Sequence, residues 1–310
     1  MRIISGLVIW LAVWMVRRPP IGSRLWGEQL LLLAALVLIP VSLPWLRPST
    51  SRLAYALWRI ITIGVLPAAC LLVLSLHLQP GLLATLSALP WFVLLVILGL
   101  LGLVRLMNSP KWAVQEISFD IGAMFTVIGG VWLFCDRMAY RPLDFDAEIV
   151  FLTAIHFHYA AYTLPICAGL LVQCLPHIAL RAAPVGILVS VPLVAAGITA
   201  THIRGWPGLE TFASCLLNFF GAVIGLGQIS LLSRSDLSAK LRIGLCLGGI
   251  ALLVAVVLAA LYGLRAYIPL ANLDIPNMRT WHGTVSALGF SFLSLVTWYS
   301  ALPLEQRFKS

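Results

Sequence analysis

The sequence predicts an all-α membrane protein, a polytopic bundle of about nine to ten transmembrane helices. Of the 310 residues, 61% are hydrophobic and only 10% are charged, whereas soluble domains carry roughly a quarter charged residues. The mean hydropathy is +1.01. The apolar residues fall in continuous runs of about span length rather than in the alternating pattern of a β-barrel. We therefore expect one integral membrane domain over residues 1–310.

Ten apolar runs account for almost the whole length of the chain. The first covers residues 3–16 and is followed by Arg17-Arg18-Pro19-Pro20. A signal peptide would carry its basic residues before the apolar part, so this order favours a short first span over a cleaved signal. The other nine runs cover about residues 30–45, 57–78, 82–106, 117–135, 149–175, 185–203, 212–232, 243–262 and 285–302.

The basic residues report on topology rather than on nucleic-acid binding. The formal charge of +9 comes from Lys and Arg in short loops between the runs. With ten spans, the face shared by both termini holds twelve of these residues and the opposite face holds eight. Because cytoplasmic loops are enriched in Lys and Arg, the count predicts a multi-pass protein of the cell membrane, the bacterial inner membrane, with both termini in the cytoplasm.

One stretch, residues 145–165, carries an unusual number of polar side chains inside a predicted membrane span. It reads FDAEIVFLTAIHFHYAAYTLP and contains His156, His158, Tyr159 and Tyr162. Ionisable side chains at membrane depth are costly and commonly mark a functional site. The two histidines are two residues apart, about 200° on a helix, so they face different ways unless the helix is distorted.

Residues 145–165 are predicted to enter the membrane from the non-cytoplasmic face. Two further groups of polar residues lie on that same face. Asp136 ends the fifth run, where it could act as an acid or form an ion pair with Arg137 or Arg141. The segment NMRTWHGTVSALGF, residues 277–290, places Trp281, His282 and Gly283 at the start of the last run. We therefore expect a polar site that opens to one face and combines His156 with His282.

The segments LTAIHFHYAAYTLPICAGLL and MRTWHGTVSALGFSFLSL resemble the YndJ-like family of bacterial membrane proteins. The resemblance rests on HFHYA and on the later HG followed by ALGF, and it is clearer in the second half of the chain. It implies that His156, His158, Tyr159, His282 and Gly283 are the positions of interest. It implies no substrate or reaction.

The leading functional prediction is a membrane-embedded enzyme, an isomerase or cyclase, that performs acid/base chemistry on an isoprenoid- or lipid-like substrate. Histidine titrates near neutrality, and a buried carboxylic acid can donate a proton. The predicted catalytic residues are Asp136, His156, His158, Tyr159 and His282. The predicted substrate-binding residues are Trp132, Tyr162, Trp281 and Gly283, whose aromatic members could stabilise a developing cation.

Two alternatives remain open at this level. One is a transporter or sensor of a small molecule, and the other is a metal- or haem-binding protein with histidine ligands. The histidine spacing matches neither the HExxH pair of zinc proteases nor the histidine boxes of membrane di-iron enzymes, so no cofactor or metal ligand is predicted. The expected partners are a lipophilic substrate and membrane lipid, without nucleic acid, and the oligomeric state is not predicted.

Overall fold

The computed structural model describes residues 2–48, 51–109, 113–268 and 271–303. Lys111, Arg307 and Lys309, which contribute to the topology count, lie outside these ranges. The described chain is helical and contains no strand, so the all-α prediction is confirmed. It forms two compact units, and the prediction of a single membrane domain stays a prediction.

Of the described residues, unit 1 comprises 2–20, 24–48, 51–109, 113–163 and 303. Its helices are α1 (Arg2–Arg17), α2 (Arg24–Leu46), α3 (Arg52–His77), α4 (Leu82–Met107), α5 (Val114–Arg137) and α6 (Ala147–His158), the last followed by a π-helical turn (Tyr159–Thr163).

Of the described residues, unit 2 comprises 21–23, 164–268 and 271–302. Its helices are α7 (Leu164–Cys174), α8 (Ile178–Arg204), α9 (Pro207–Ser230), α10 (Ala239–Gly263) and α11 (Ile275–Ala301).

The number of spans agrees with the sequence prediction. Within the described ranges, nine helical runs are long and apolar enough to cross a membrane. All ten predicted runs are helical. The first of them, α1, has 16 residues and is shorter than the roughly 20 residues that cross a bilayer.

Helix α2 forms the core of unit 1. Every residue from 26 to 43 is buried, as expected for a helix that is apolar on all sides. Gly6 of α1 lies against the backbone carbonyl of Leu36, where a side chain would collide with the oxygen. Two reciprocal hydrogen bonds of 2.8 Å then join α1 to α2: Trp10 Nε1 donates to the Gln29 carbonyl, and Gln29 Nε2 donates to the Trp10 carbonyl.

The helices of unit 2 approach one another through glycines. A Cβ atom built on Gly249 of α10 would lie 2.5 Å from the carbonyl oxygen of Gly225 on α9. Such small residues allow membrane helices to pack at short range. One turn away, the Ser294 hydroxyl of α11 donates to Gln228 Oε1 at 3.1 Å, so a buried polar contact joins α9 to α11.

Candidate functional site

A cluster of charges lies at one end of the helices of unit 1. The cluster comprises Arg17, Arg24, Glu28, Asp136 and Arg137. Glu28, Asp136 and Arg137 are at most 6% exposed. Arg17 is 12% exposed and Arg24 is the most accessible, at 32%. Three guanidinium groups face two carboxylates, so the cluster carries one uncompensated positive charge.

Asp136 is the centre of one half of the cluster. Arg24 Nη2 donates to Asp136 Oδ1 at 2.6 Å. Arg137 donates to Asp136 Oδ2 through Nε at 2.9 Å and Nη2 at 2.6 Å. Both carboxylate oxygens therefore accept charge-assisted hydrogen bonds. The ion pair with Arg137 that the sequence offered as one interpretation of Asp136 is present.

Arg137 is held in place by the backbone as well as by Asp136. Its Nη1 donates to the Ser75 carbonyl at 3.3 Å, and its own carbonyl accepts from the Gly81 amide at 2.8 Å. The φ of Gly81 is +151°, a conformation that glycine adopts without strain. The end of α5 is thereby fixed to the turn between α3 and α4.

Glu28 is the centre of the other half. Arg17 Nη2 donates to Glu28 Oε2 at 2.7 Å and to the Leu76 carbonyl at 3.2 Å. Arg24 lies one turn before Glu28 on α2, with its Nε 3.6 Å from Glu28 Oε1. Arg24 thus bridges the two carboxylates, and its guanidinium also lies 4.3 Å from the ring centroid of Phe151. Arg17 Nη1 is buried without a hydrogen-bond partner.

The cluster lines a cavity of about 410 Å³ within unit 1, which we call the arginine cavity. The rest of its wall is mainly apolar, with a further arginine and three polar side chains; these residues are Leu25, Leu76, Leu78, Pro80, Ala139, Ala147, Val150, Arg141, His77, Gln79 and Tyr140. A cavity of this size accommodates a small molecule or a headgroup.

The predicted histidines of unit 1 do not line this cavity. His158 is fully buried; its Nδ1 lies 2.7 Å from the Ala154 carbonyl, and its Nε2 accepts from Trp91 Nε1 at 3.4 Å. These contacts fit the tautomer that carries its proton on Nδ1. His156 lies on the exposed side of α6, with its Nδ1 2.7 Å from the Leu152 carbonyl. The two rings therefore occupy different faces of α6, as their spacing predicted.

The two predicted tyrosines contact the core helix α2. The Tyr159 hydroxyl donates to the Leu30 carbonyl at 2.7 Å. Ser42 donates to the Ile39 carbonyl, so its oxygen can accept from the Tyr162 hydroxyl. Both tyrosines sit on the π-helical turn Tyr159–Thr163, and π-helical turns are frequent at functional sites. Both phenol groups are used in packing against α2, which gives them a structural role whether or not they also act chemically.

The remaining predicted residues lie in both units. In unit 1, Trp132 contacts Phe145 edge to face, with the ring centroids 5.8 Å apart. In unit 2, His282 Nδ1 lies 2.9 Å from the Ala255 carbonyl, Trp281 is exposed, and Gly283 ends a π-helical turn that begins at Arg279. The proposed combination of His156 with His282 stays a prediction.

Sequence reasoning missed Arg17, Arg24 and Glu28 as members of a site. The available signal was an Arg–Glu pair four residues apart at the start of an apolar run, which places an acid inside a span. Within the described part of the chain, no three His, Cys, Asp or Glu side chains form a group that could hold a metal ion. The metal or haem alternative stays a prediction.

Comparison with known proteins agrees with the resemblance found in the sequence. A relative from Bacillus subtilis (strain 168), named "uncharacterized membrane protein YndJ", is 26% identical over 275 residues. The alignment covers 88% of this chain and 48% of the relative, so the chain spans about half of that protein's length. No solved structure matches the chain. The model of the family described as YndJ-like protein matches residues 29–290, and the chain therefore belongs to that family.

Proposed function

We propose that this chain is a multi-pass protein of the cell membrane that binds an anionic ligand in the arginine cavity of unit 1. The observation that carries the proposal is the charge of the cavity wall. Three ion-paired arginines face two carboxylates, and Arg141 adds a further cation, around a partly open space of about 410 Å³. Because the cavity wall holds more cations than carboxylates, an anion bound there would offset the excess positive charge.

The hydrogen-bond pattern supports binding over proton donation by Asp136. Each Asp136 oxygen already accepts from a guanidinium group, so the carboxylate serves to hold Arg24 and Arg137 in position. Arginines fixed in this way are well suited to oxyanions, since their planar donor fork matches carboxylate and phosphate oxygens.

The acid/base enzyme of the sequence analysis stays a second proposal. His158 is the predicted catalytic residue that is fully enclosed by protein. It does not line the arginine cavity, so a lipophilic substrate acted on by His158 would bind at another place. If the chain turns over a lipid, substitution of His158 by Gln should abolish turnover while binding in the arginine cavity persists. If the chain instead transports or senses the ligand of the arginine cavity, the His158→Gln variant should keep that function.

The orientation in the cell membrane is part of the proposal. The Lys and Arg count favours cytoplasmic termini, and on that topology the ends of α3 and α5 that border the cavity face away from the cytoplasm. The arginine cavity would then receive its ligand from the outer side or from the outer leaflet.

Thermal unfolding of the detergent-purified protein tests the binding function. The protein is titrated with inorganic phosphate, citrate, oleate and a short-chain phosphatidylglycerol, because a ligand that binds only the folded state raises the melting temperature. At least one of these anions should stabilise the wild type. The shift should be lost in Arg24→Gln and kept in Arg234→Gln, which alters an exposed ion pair of unit 2. No stabilisation by any of these anions would reject the proposal.

A further inference from the structure

We infer that the ligand of the arginine cavity is the phosphate headgroup of an anionic membrane lipid. This inference rests on the proposed function and adds the class of ligand. Three independent features of unit 1 support it. They are the position of the cavity along the helices, the directions from which its cations approach, and the apolar part of its wall.

The cavity lies where the helices of unit 1 end, not halfway along them. Its walls come from the last turn of α3, the last residues of α5, and the first turns of α2 and α6. Four spans that end or begin at one level place the cavity at the membrane interface, where lipid headgroups lie. Substrate sites of secondary transporters are instead near the midplane of the bilayer.

The cations of the cavity belong to different segments of the chain. Arg17 ends α1, Arg24 begins α2, and Arg141 follows α5. A tetrahedral phosphate presents acceptor oxygens in several directions, whereas a carboxylate presents its two oxygens in one plane. Donors from three segments therefore favour a phosphate. The ion-paired cluster carries one excess positive charge and Arg141 adds a second. A phosphodiester with one negative charge would therefore neutralise half of this excess.

The apolar part of the wall favours a ligand with a hydrocarbon chain. Leu25, which follows Arg24 directly, is 39% exposed and lines the cavity together with Val150 and Leu76. A headgroup held by Arg24 would bring its glycerol and first methylene groups against Leu25, since Leu76 and Val150 are only 4% and 1% exposed. Each buried methylene contributes about 0.8 kcal/mol, so the same phosphate should bind more weakly without its chains.

Native mass spectrometry of the full chain in detergent tests this inference. The probes are dioleoyl phosphatidylglycerol, dioleoyl phosphatidylcholine, oleate and inorganic phosphate, each added separately. We expect one tightly bound phosphatidylglycerol and weaker binding of the other three. The main variant is Arg141→Gln, because Arg141 is exposed and lies outside the buried ion pairs, so that the fold should be kept. Its affinity for phosphatidylglycerol should fall by about tenfold or more, the value of one charged hydrogen bond, while that of Arg234→Gln should not change.

The outcomes separate this inference from the proposed function. Phosphate that binds as tightly as phosphatidylglycerol, with both affinities reduced by Arg141→Gln, would show a free-anion site and overturn the lipid assignment alone. If oleate bound as tightly as phosphatidylglycerol and lost affinity in Arg141→Gln, the recognised group would be a carboxylate rather than a phosphate. Phosphatidylcholine that binds as well as phosphatidylglycerol would refute the charge argument, and absence of binding by all four probes would reject both the inference and the proposed function.

Discussion

At the scale of single residues, the buried carboxylate of Asp136 makes the clearest prediction. Replacement by Asn keeps the shape of the side chain but leaves Arg137, which is 2% exposed, without its charged partner. Breaking one side of a buried ion pair costs about 3–5 kcal/mol. Asp136→Asn should therefore lower the stability of the purified protein strongly, as measured by denaturant or thermal unfolding in detergent.

The matched control for this change is Asp236→Asn in the loop between α9 and α10. Hydrogen bonds from Arg234 lower the pKa of the Asp236 carboxyl below its ordinary value, but this pair is exposed and screened by water, so we expect no measurable loss of stability. Equal behaviour of the two variants would mean that the buried cluster does not stabilise unit 1. Lost turnover with unchanged stability in Asp136→Asn would instead favour the acid/base role.

Tyr159 carries a second prediction at this scale. Tyr159→Phe removes the hydroxyl that donates to the Leu30 carbonyl and keeps the ring. The loss of one buried hydrogen bond should lower the free energy of unfolding by about 1 kcal/mol. The exposed Tyr267 provides the comparison, since Tyr267→Phe should leave the unfolding transition in place. An unchanged transition in both would show that the contact with α2 contributes nothing to stability.

At the scale of helices, close packing in unit 2 depends on glycine. Gly249→Ala would place a methyl group 2.5 Å from the backbone oxygen of Gly225, and backbone cannot move aside as a flexible side chain can. We expect a loss of about 1–3 kcal/mol from overpacking between α9 and α10, measured by thermal unfolding.

Gly64 of α3 is the matched position for this test. A Cβ on Gly64 would meet only Leu94 Cδ1, at an ordinary 3.6 Å. Because alanine is the better helix former, Gly64→Ala should be neutral or slightly stabilising. If Gly249→Ala were tolerated as well as Gly64→Ala, the packing of α9 on α10 would not depend on the small residue.

The helices themselves were predictable, while the partners of their charged ends were not. Bilayer thickness sets the length of an apolar run, so hydropathy alone located all ten helices. The pairing of Arg17 with Glu28, and of Arg24 with Asp136 over 112 residues, depends on tertiary contacts that no local pattern encodes. Similarly, periodicity predicted that His156 and His158 face apart, but only the packing of Trp91 shows that His158 is the enclosed one.

At the scale of the whole molecule, the property to be tested is the orientation of the chain in the membrane. Tyr140, in the wall of the arginine cavity, is exposed, and so is Asp236 of the loop after α9. The Lys and Arg count predicts that Tyr140 faces the outside and Asp236 the cytoplasm. Single cysteines at these two positions, in a chain whose six native cysteines are replaced by Ala or Ser, would report the orientation.

A membrane-impermeant maleimide should label Tyr140→Cys in intact cells and Asp236→Cys only after permeabilisation. If only Asp236→Cys were labelled in intact cells, the orientation would be the opposite of the predicted one, and the arginine cavity would face the cytoplasm. The ligand would then have to come from the inner leaflet, where anionic lipids supply the negative surface potential. The headgroup would be recognised by the same arginines in either case, so the labelling decides which leaflet supplies the lipid without deciding whether a lipid binds.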